Sequence, residues 1–284
     1  MRRVAVVSSF IFITTMMCVF VFSDFYDAVS GRFYQLSNFV EKITENISNA
    51  SLASAYEAFN MDKKYLAVEE GMRKEEIANL CQKRLGWSDI EEQAFAGSFY
   101  CSVENNDEGF LLPGSYIVDK NSTPKDIKLE MKQRFDEALR KKVEELGGDP
   151  DRLDVDTVIT IASIIQRESG GLRDMNLISG IIWNRLAIGM PLQVDATLQY
   201  IKGKDGKWWP YVLSKDKYIN SAYNTYQNVG LPPTPISNPG EGAIAAALNP
   251  EKTDCLFYLH DKYGRIHCSK DYKEHKKNIS RYLK

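Results

Sequence analysis

Hydrophobic positions along the chain fall into three regimes. Residues 4–22 form an unbroken run of 19 uncharged residues, about 28 Å long as a helix and close to the thickness of a bilayer core. Residues 24–64 carry scattered aromatics with no clear period and read as a stalk. From Tyr65 onward the pattern tightens into short elements. YLAVEEG alternates like a strand, and RKEEIANLCQKRLG places Ile77, Leu80, Cys81 and Leu85 at helical spacing. WSDIEEQAFAG predicts a second short helix capped by Ser88, and SFYCSV a strand, which together make a βααβ unit. EGFLLPGSYIV predicts a further strand broken at Pro113-Gly114.

A long helix should follow Ser122-Thr123-Pro124-Lys125-Asp126, where an N-cap, a proline and an acid share the first turn. Its apolar stripe is Ile127, Met131, Phe135, Leu139, Val143 and Leu146, and Gly147-Gly148 stops it. Asp149-Pro150 reads as a linker. VDTVITIASIIQRESGG predicts a strongly apolar helix. DMNLISGIIWNRLAIG predicts an amphipathic one ending at Gly189. MPLQVDATLQYI predicts a turn and a short helix that Asp195 could cap. After a loop over 202–222 comes a proline-rich loop ending in Asn238-Pro239-Gly240-Glu241, which reads as N-cap, N1 and N3 of the helix EGAIAAAL. CLFYLH and RIHCS flank a hairpin turn, and DYKEHKKNISRYL closes the chain as a helix.

The overall expectation is an α+β fold. It comprises a cytoplasmic tip and transmembrane anchor (1–23), a stalk (24–64), a small βααβ subdomain with its connecting helix (65–148), and a mixed helical and β domain with a C-terminal hairpin (149–284). Arg2 and Arg3 precede the apolar run, so the amino end should stay in the cytoplasm and the body lie outside it. A cleaved signal peptide is the rival, but its apolar core is usually only about 7–15 residues long.

Composition removes several function classes. With 36 basic and 38 acidic residues the net charge is −2, without the basic surplus that binding a phosphate backbone requires. Five cysteines without a C-x-x-C exclude a zinc ribbon, and no phosphate loop, dinucleotide fingerprint or nucleophile elbow is present. Neither a metal nor a cofactor is expected. The three histidines, His260, His267 and His275, show no metal spacing. Cys255 and Cys268 lie near the open end of the hairpin with an offset register, so a disulfide between them is left open.

One carboxylate stands out. Val158, Ile161, Ile165 and Glu168 recur at helical spacing, so Glu168 extends a buried stripe in the last turn of its helix. Burial and the negative end of the helix dipole both disfavour its ionised form. A carboxyl kept protonated near neutral pH suits a general acid for glycosidic cleavage. An ion pair with Arg167, Arg173 or Arg185 is the plainer alternative.

The order of IASIIQRESG, IIWNRLAIGMPLQVDATLQYI, AYNTYQNVGLPPTPISNPGEGAIAAALNP and the hairpin resembles the endolytic murein transglycosylases, the MltG or YceG-like family. The upstream βααβ unit and EGFLLPGSYIV are similar to that family's LysM-like portion. The resemblance implies a membrane-anchored lytic transglycosylase, a lyase acting on peptidoglycan glycan strands inside the chain, with peptidoglycan synthases as partners and no nucleic acid. It implies Glu168 as catalytic acid. It also implies a cleft lined by Asn184, Arg185, Gln193, Asp195, Thr197, Tyr223, Asn224, Thr225 and Tyr226, and shaped by the loops at 230–233 and 238–240. Gln166-Arg167 departs from the Glu-Lys common among relatives. The alternatives are a hydrolytic muramidase and a non-catalytic cell-wall-binding scaffold.

Overall fold

The computed structural model describes residues 62–97 and 107–283. The apolar run, the SFYCSV strand and the stalk as far as residue 61 lie outside the described residues, and the last two residues expected in the stalk, Lys63 and Lys64, belong to a strand. Among the described residues no helix is long and apolar enough to cross a membrane. The chain divides into two units, Met1–Tyr65 and Leu66–Lys284.

Strand β1 (Lys63–Val68) pairs with β2 (Gly114–Asp119) in a two-stranded sheet. Between them lie α1 (Lys74–Leu85) and α2 (Asp89–Ala96). The expected strand across Pro113-Gly114 exists only after the break. Ser88 caps α2 by accepting from the Glu91 amide, while the Glu91 carboxylate returns to the Ser88 amide at 2.9 Å, a capping box. Leu66, Val68, Ile77, Cys81, Trp87, Phe95, Tyr116 and Val118 close around one small core.

Helix α3 (Pro124–Glu145) starts as its sequence predicts. Thr123 caps it, and Asp126 completes the box at 2.9 Å. The stripe on α3 serves two cores in turn. Ile127 and Met131 enter the small core, whereas Phe135, Leu139 and Val143 enter a larger one. Leu146, expected on the stripe, is exposed because the helix has already ended. Asp149-Pro150 is no plain linker. Pro150–Arg152 forms a 3-10 turn, with Asp149 accepting from the Asp151 amide.

The larger core surrounds α4 (Val155–Glu168), whose residues from Val158 to Ile165 are all buried. A helix apolar on every side must be covered on every side. Helices α5 (Met175–Ala187) and α7 (Glu241–Leu248) pack against it. The buried alanines Ala243, Ala246 and Ala247 let α7 approach closely. Gly189 and Met190 end α5 by donating back to Leu186 and Arg185, with Gly189 in the left-handed region at φ +63°. This is the Schellman arrangement that favours glycine.

Two caps differ from expectation. Helix α6 (Asp195–Lys202) begins at Asp195, with Val194 as N-cap and no side-chain cap bond. Helix α7 is capped by Gly240, so neither Asn238 nor Glu241 plays its expected part. Asn238 is instead fully buried. Its Oδ1 accepts from the amides of Gly109 and Leu111, and its Nδ2 donates to Met72 O and Glu108. It ties the proline-rich loop to the segment before β2 and to the β1–α1 turn, a demand stronger than capping a helix.

At the C-terminal end β3 (Phe257–His260) pairs antiparallel with β4 (Ile266–Ser269), with Tyr258 opposite Cys268. Cys255, just before β3, forms a disulfide with Cys268. Helix α8 (Tyr272–Tyr282) lies on the hairpin, stacking Tyr282 on His267 and His275 on Phe257.

Candidate active site

Glu168 is the last residue of α4, and its side chain is half-buried where three segments meet. Its Oε1 accepts from the Ala196 amide at 3.3 Å, one of the free N–H groups in the first turn of α6. Its Oε2 accepts from the Tyr258 hydroxyl of β3 at 2.8 Å. Burial is the main cause that pushes the Glu168 carboxyl above the ordinary value, with Asp195 adding to it. The Tyr258 and Ala196 hydrogen bonds and the nearby His260 act against burial without cancelling it. Partial exposure leaves the group open to a proton-accepting partner, and the raised affinity keeps the proton available to it.

The sequence-derived residues divide by position. Asp195 and Tyr226 belong to the same neighbourhood, the Tyr226 hydroxyl donating to Asp195 Oδ1 at 2.6 Å. Burial and Asp195 both raise the Tyr226 hydroxyl above its ordinary value, so it stays a donor. Thr197 and Thr225 are buried and share a hydrogen bond at 3.0 Å, and Thr225 Oγ1 also accepts from the Val194 amide. Gln193 adopts the left-handed region at φ +51°, alone among the described non-glycine residues, with its amide donating to Thr225 O. Such a conformation persists where surrounding bonds over-determine it. Together these bonds fix the first turn of α6, and with it the Ala196 amide that meets Glu168.

Asn224 is buried and turned inward, donating to Lys217 O and Ile219 O while accepting from the Tyr226 amide. Tyr223 donates or accepts with Thr234 at 2.7 Å and packs beside Tyr200. Asn184 and Arg185 face the segment before β3 and not the carboxyl. Asn184 donates to Thr253 O and Cys255 O, and Arg185 to Leu256 O, Pro191 O and Leu192 O. Asn184 also lines a surface cavity of about 450 Å³ with Gly180, Trp183 and residues 250–254, a cavity that includes none of the groups bonded to Glu168. The departing pair Gln166-Arg167 makes contacts away from the carboxyl. Gln166 accepts from the Gly240 amide at the start of α7, and Arg167 lies 3.8 Å over the Trp209 ring.

Three groups escaped the sequence reading: Tyr258 and the pair Asp174–His260. His260 Nε2 meets Asp174 Oδ2 at 2.6 Å, and the same oxygen accepts from the Gly170 amide in the turn after Glu168. Alternation along β3 places Tyr258 and His260 on one face, which the sequence does show. What that face packs against is a long-range fact that alternation cannot supply. Among the described residues no cluster of histidine, cysteine or carboxylate side chains has the arrangement of a metal site.

The YceG-like family model matches residues 34–281. An endolytic murein transglycosylase from Bacillus subtilis is 35% identical over 65% of this chain and 50% of its own length. One from Streptococcus pneumoniae is 31% identical over 62% of this chain and 32% of its own. The chain thus spans half or less of the curated relatives it matches. A crystal structure of a yceG-like protein from Listeria monocytogenes superposes with a TM-score of 0.65 at 28% identity, covering 84% of this chain and 94% of that one. With a family model matched over most of its length, the chain belongs to the YceG-like family.

Proposed function

We propose that this protein is an endolytic lytic transglycosylase of peptidoglycan with Glu168 as its single acid–base residue. The observation that carries the reading is the half-buried Glu168 carboxyl, raised by burial at the end of an apolar helix. Glu168 protonates the glycosidic oxygen between N-acetylmuramic acid and N-acetylglucosamine as that bond breaks. The resulting carboxylate then takes the proton of the muramic acid 6-hydroxyl as its oxygen closes on C1, leaving a 1,6-anhydro end. One carboxyl thereby serves both steps. The names of the Bacillus and Streptococcus relatives support the same activity.

Asp195 and Tyr226 stand beside the acid and hold the sugar next to it, with Gln193, Tyr223 and the surrounding loop extending the cleft. Asn184, Arg185, Thr197, Asn224 and Thr225 serve binding by fixing the backbone that forms it. The body sits outside the cytoplasm on a single anchor at residues 4–22, and residues 65–148 act as a LysM-like glycan-holding part. So placed, the enzyme cuts nascent strands close to the peptidoglycan synthases and ends their elongation.

Glu168→Gln preserves shape but neither gives nor takes the proton. Cleavage of glycan strands should fall by at least about 100-fold, the lower range for general acid–base catalysis. Asp195→Asn should lose less, through positioning alone. Equal loss in both variants would favour the hydrolytic reading, in which a second carboxylate is indispensable. Near-normal cleavage by Glu168→Gln would remove the proposal.

A further inference from the structure

The hairpin at the C-terminal end is held from several sides, and the residue between its anchors is Tyr258. Before β3, the carbonyls of Thr253, Cys255 and Leu256 are gripped by Asn184 and Arg185 of α5, the Leu256 contact at 2.6 Å. At its far end His260 is gripped by Asp174, which also holds the Gly170 amide two residues past Glu168. Across the ladder, Tyr258 lies opposite Cys268, and Cys268 is bonded to Cys255. A strand tied before, after and beside one residue leaves that residue little freedom. Tyr258 directs its hydroxyl at Glu168 Oε2, 2.8 Å away.

We propose that Tyr258 is a positioning residue for Glu168, delivered to it by a hairpin that the Cys255–Cys268 cross-link and the Asn184–Arg185 clamp hold in register. The inference rests on the reading of Glu168 as the acid and adds to it. A hydroxyl that only donates in this setting orients the carboxyl and stabilises the anion left after protonation of the leaving oxygen. Burial and the neighbouring Glu168 keep the Tyr258 proton on its oxygen well above the ordinary tyrosine range. It therefore remains a donor throughout the working range of the enzyme.

The groups facing Glu168 are the Ala196 amide and Asp195 from α6, Tyr226 beside Asp195, Tyr258 and His260 from β3, and Arg167 on its own helix. Of these, the Tyr258 hydroxyl is the largest influence favouring the anion. Removing it raises the proton affinity of Glu168, so the acid form persists to higher pH. The anion needed for the second step becomes less stable at the same time.

The test is Tyr258→Phe in the full-length protein, with rates on isolated glycan strands followed against pH and folding checked by thermal melting. The descending alkaline limb of the pH–rate profile should move up by about one pH unit, as expected for loss of a charge-assisted hydrogen bond. The maximal rate should fall about tenfold with little change in KM. A fall in rate with an unmoved limb would assign Tyr258 a merely structural part and overturn the inference, as would an unchanged profile. The double variant Cys255→Ser/Cys268→Ser, which keeps the hydroxyl but frees the strand, should move the limb in the same direction by less. If Tyr258→Phe does not fold, that variant decides, and an unmoved limb in it overturns the inference. Activity surviving in Glu168→Gln would instead strike the underlying assignment of the acid, which the two results keep apart.

Discussion

Asn238 shows what a single residue can conceal. Its place ahead of Pro239 and Glu241 reads as a helix cap, and a lost cap would cost about 1 kcal/mol. Its side chain instead bonds Gly109, Leu111, Met72 and Glu108, all far from it in the chain. Asn238→Ala strands two buried amide donors and should destabilise the protein by about 2–4 kcal/mol in urea unfolding, where a loss near 1 would restore the capping account. The neighbouring Glu108 is buried and pushed up to about 8, chiefly by burial. Spacing alone revealed neither residue, because both act across more than a hundred positions or through burial. The partial burial of Glu168 at the end of its helix was legible for the opposite reason: its own helix carries the periodicity that buries it.

Elements were legible wherever local chemistry decides them. The box at Thr123 and Asp126, the cap at Ser88, the stop at Gly189 and the alternation of the hairpin each follow from neighbouring residues. The start of α6 was less legible, because the bonds that fix it come from Thr225 in a distant loop. Gly180 offers a test of packing against propensity. Alanine is the better helix former by about 1 kcal/mol, yet a Cβ at this position of α5 would run into the Glu251 carbonyl. Gly180→Ala should therefore destabilise by about 1–3 kcal/mol, as overpacking does. It should also disturb the segment that leads into β3. A gain in melting temperature would show that residues 249–254 are free to move away.

At the scale of the molecule, the long stripe of α3 joins two cores, and the groups around Glu168 arrive from α4, α6 and the hairpin. The proposed anchor at residues 4–22, with the double arginine ahead of it, predicts a body outside the cytoplasm. A reporter fused after Lys284 should be active only outside the cytoplasm, and a fusion active inside it would reverse the localisation. The central claim is that one carboxyl completes the reaction with the sugar's own hydroxyl as acceptor. Mass spectrometry of the fragments released from glycan strands reads this directly. The account expects 1,6-anhydro-N-acetylmuramic acid at the new ends of products of the unaltered protein, and no such products from Glu168→Gln. Reducing N-acetylmuramic acid ends, heavier by one water, would contradict it and make the enzyme a hydrolase.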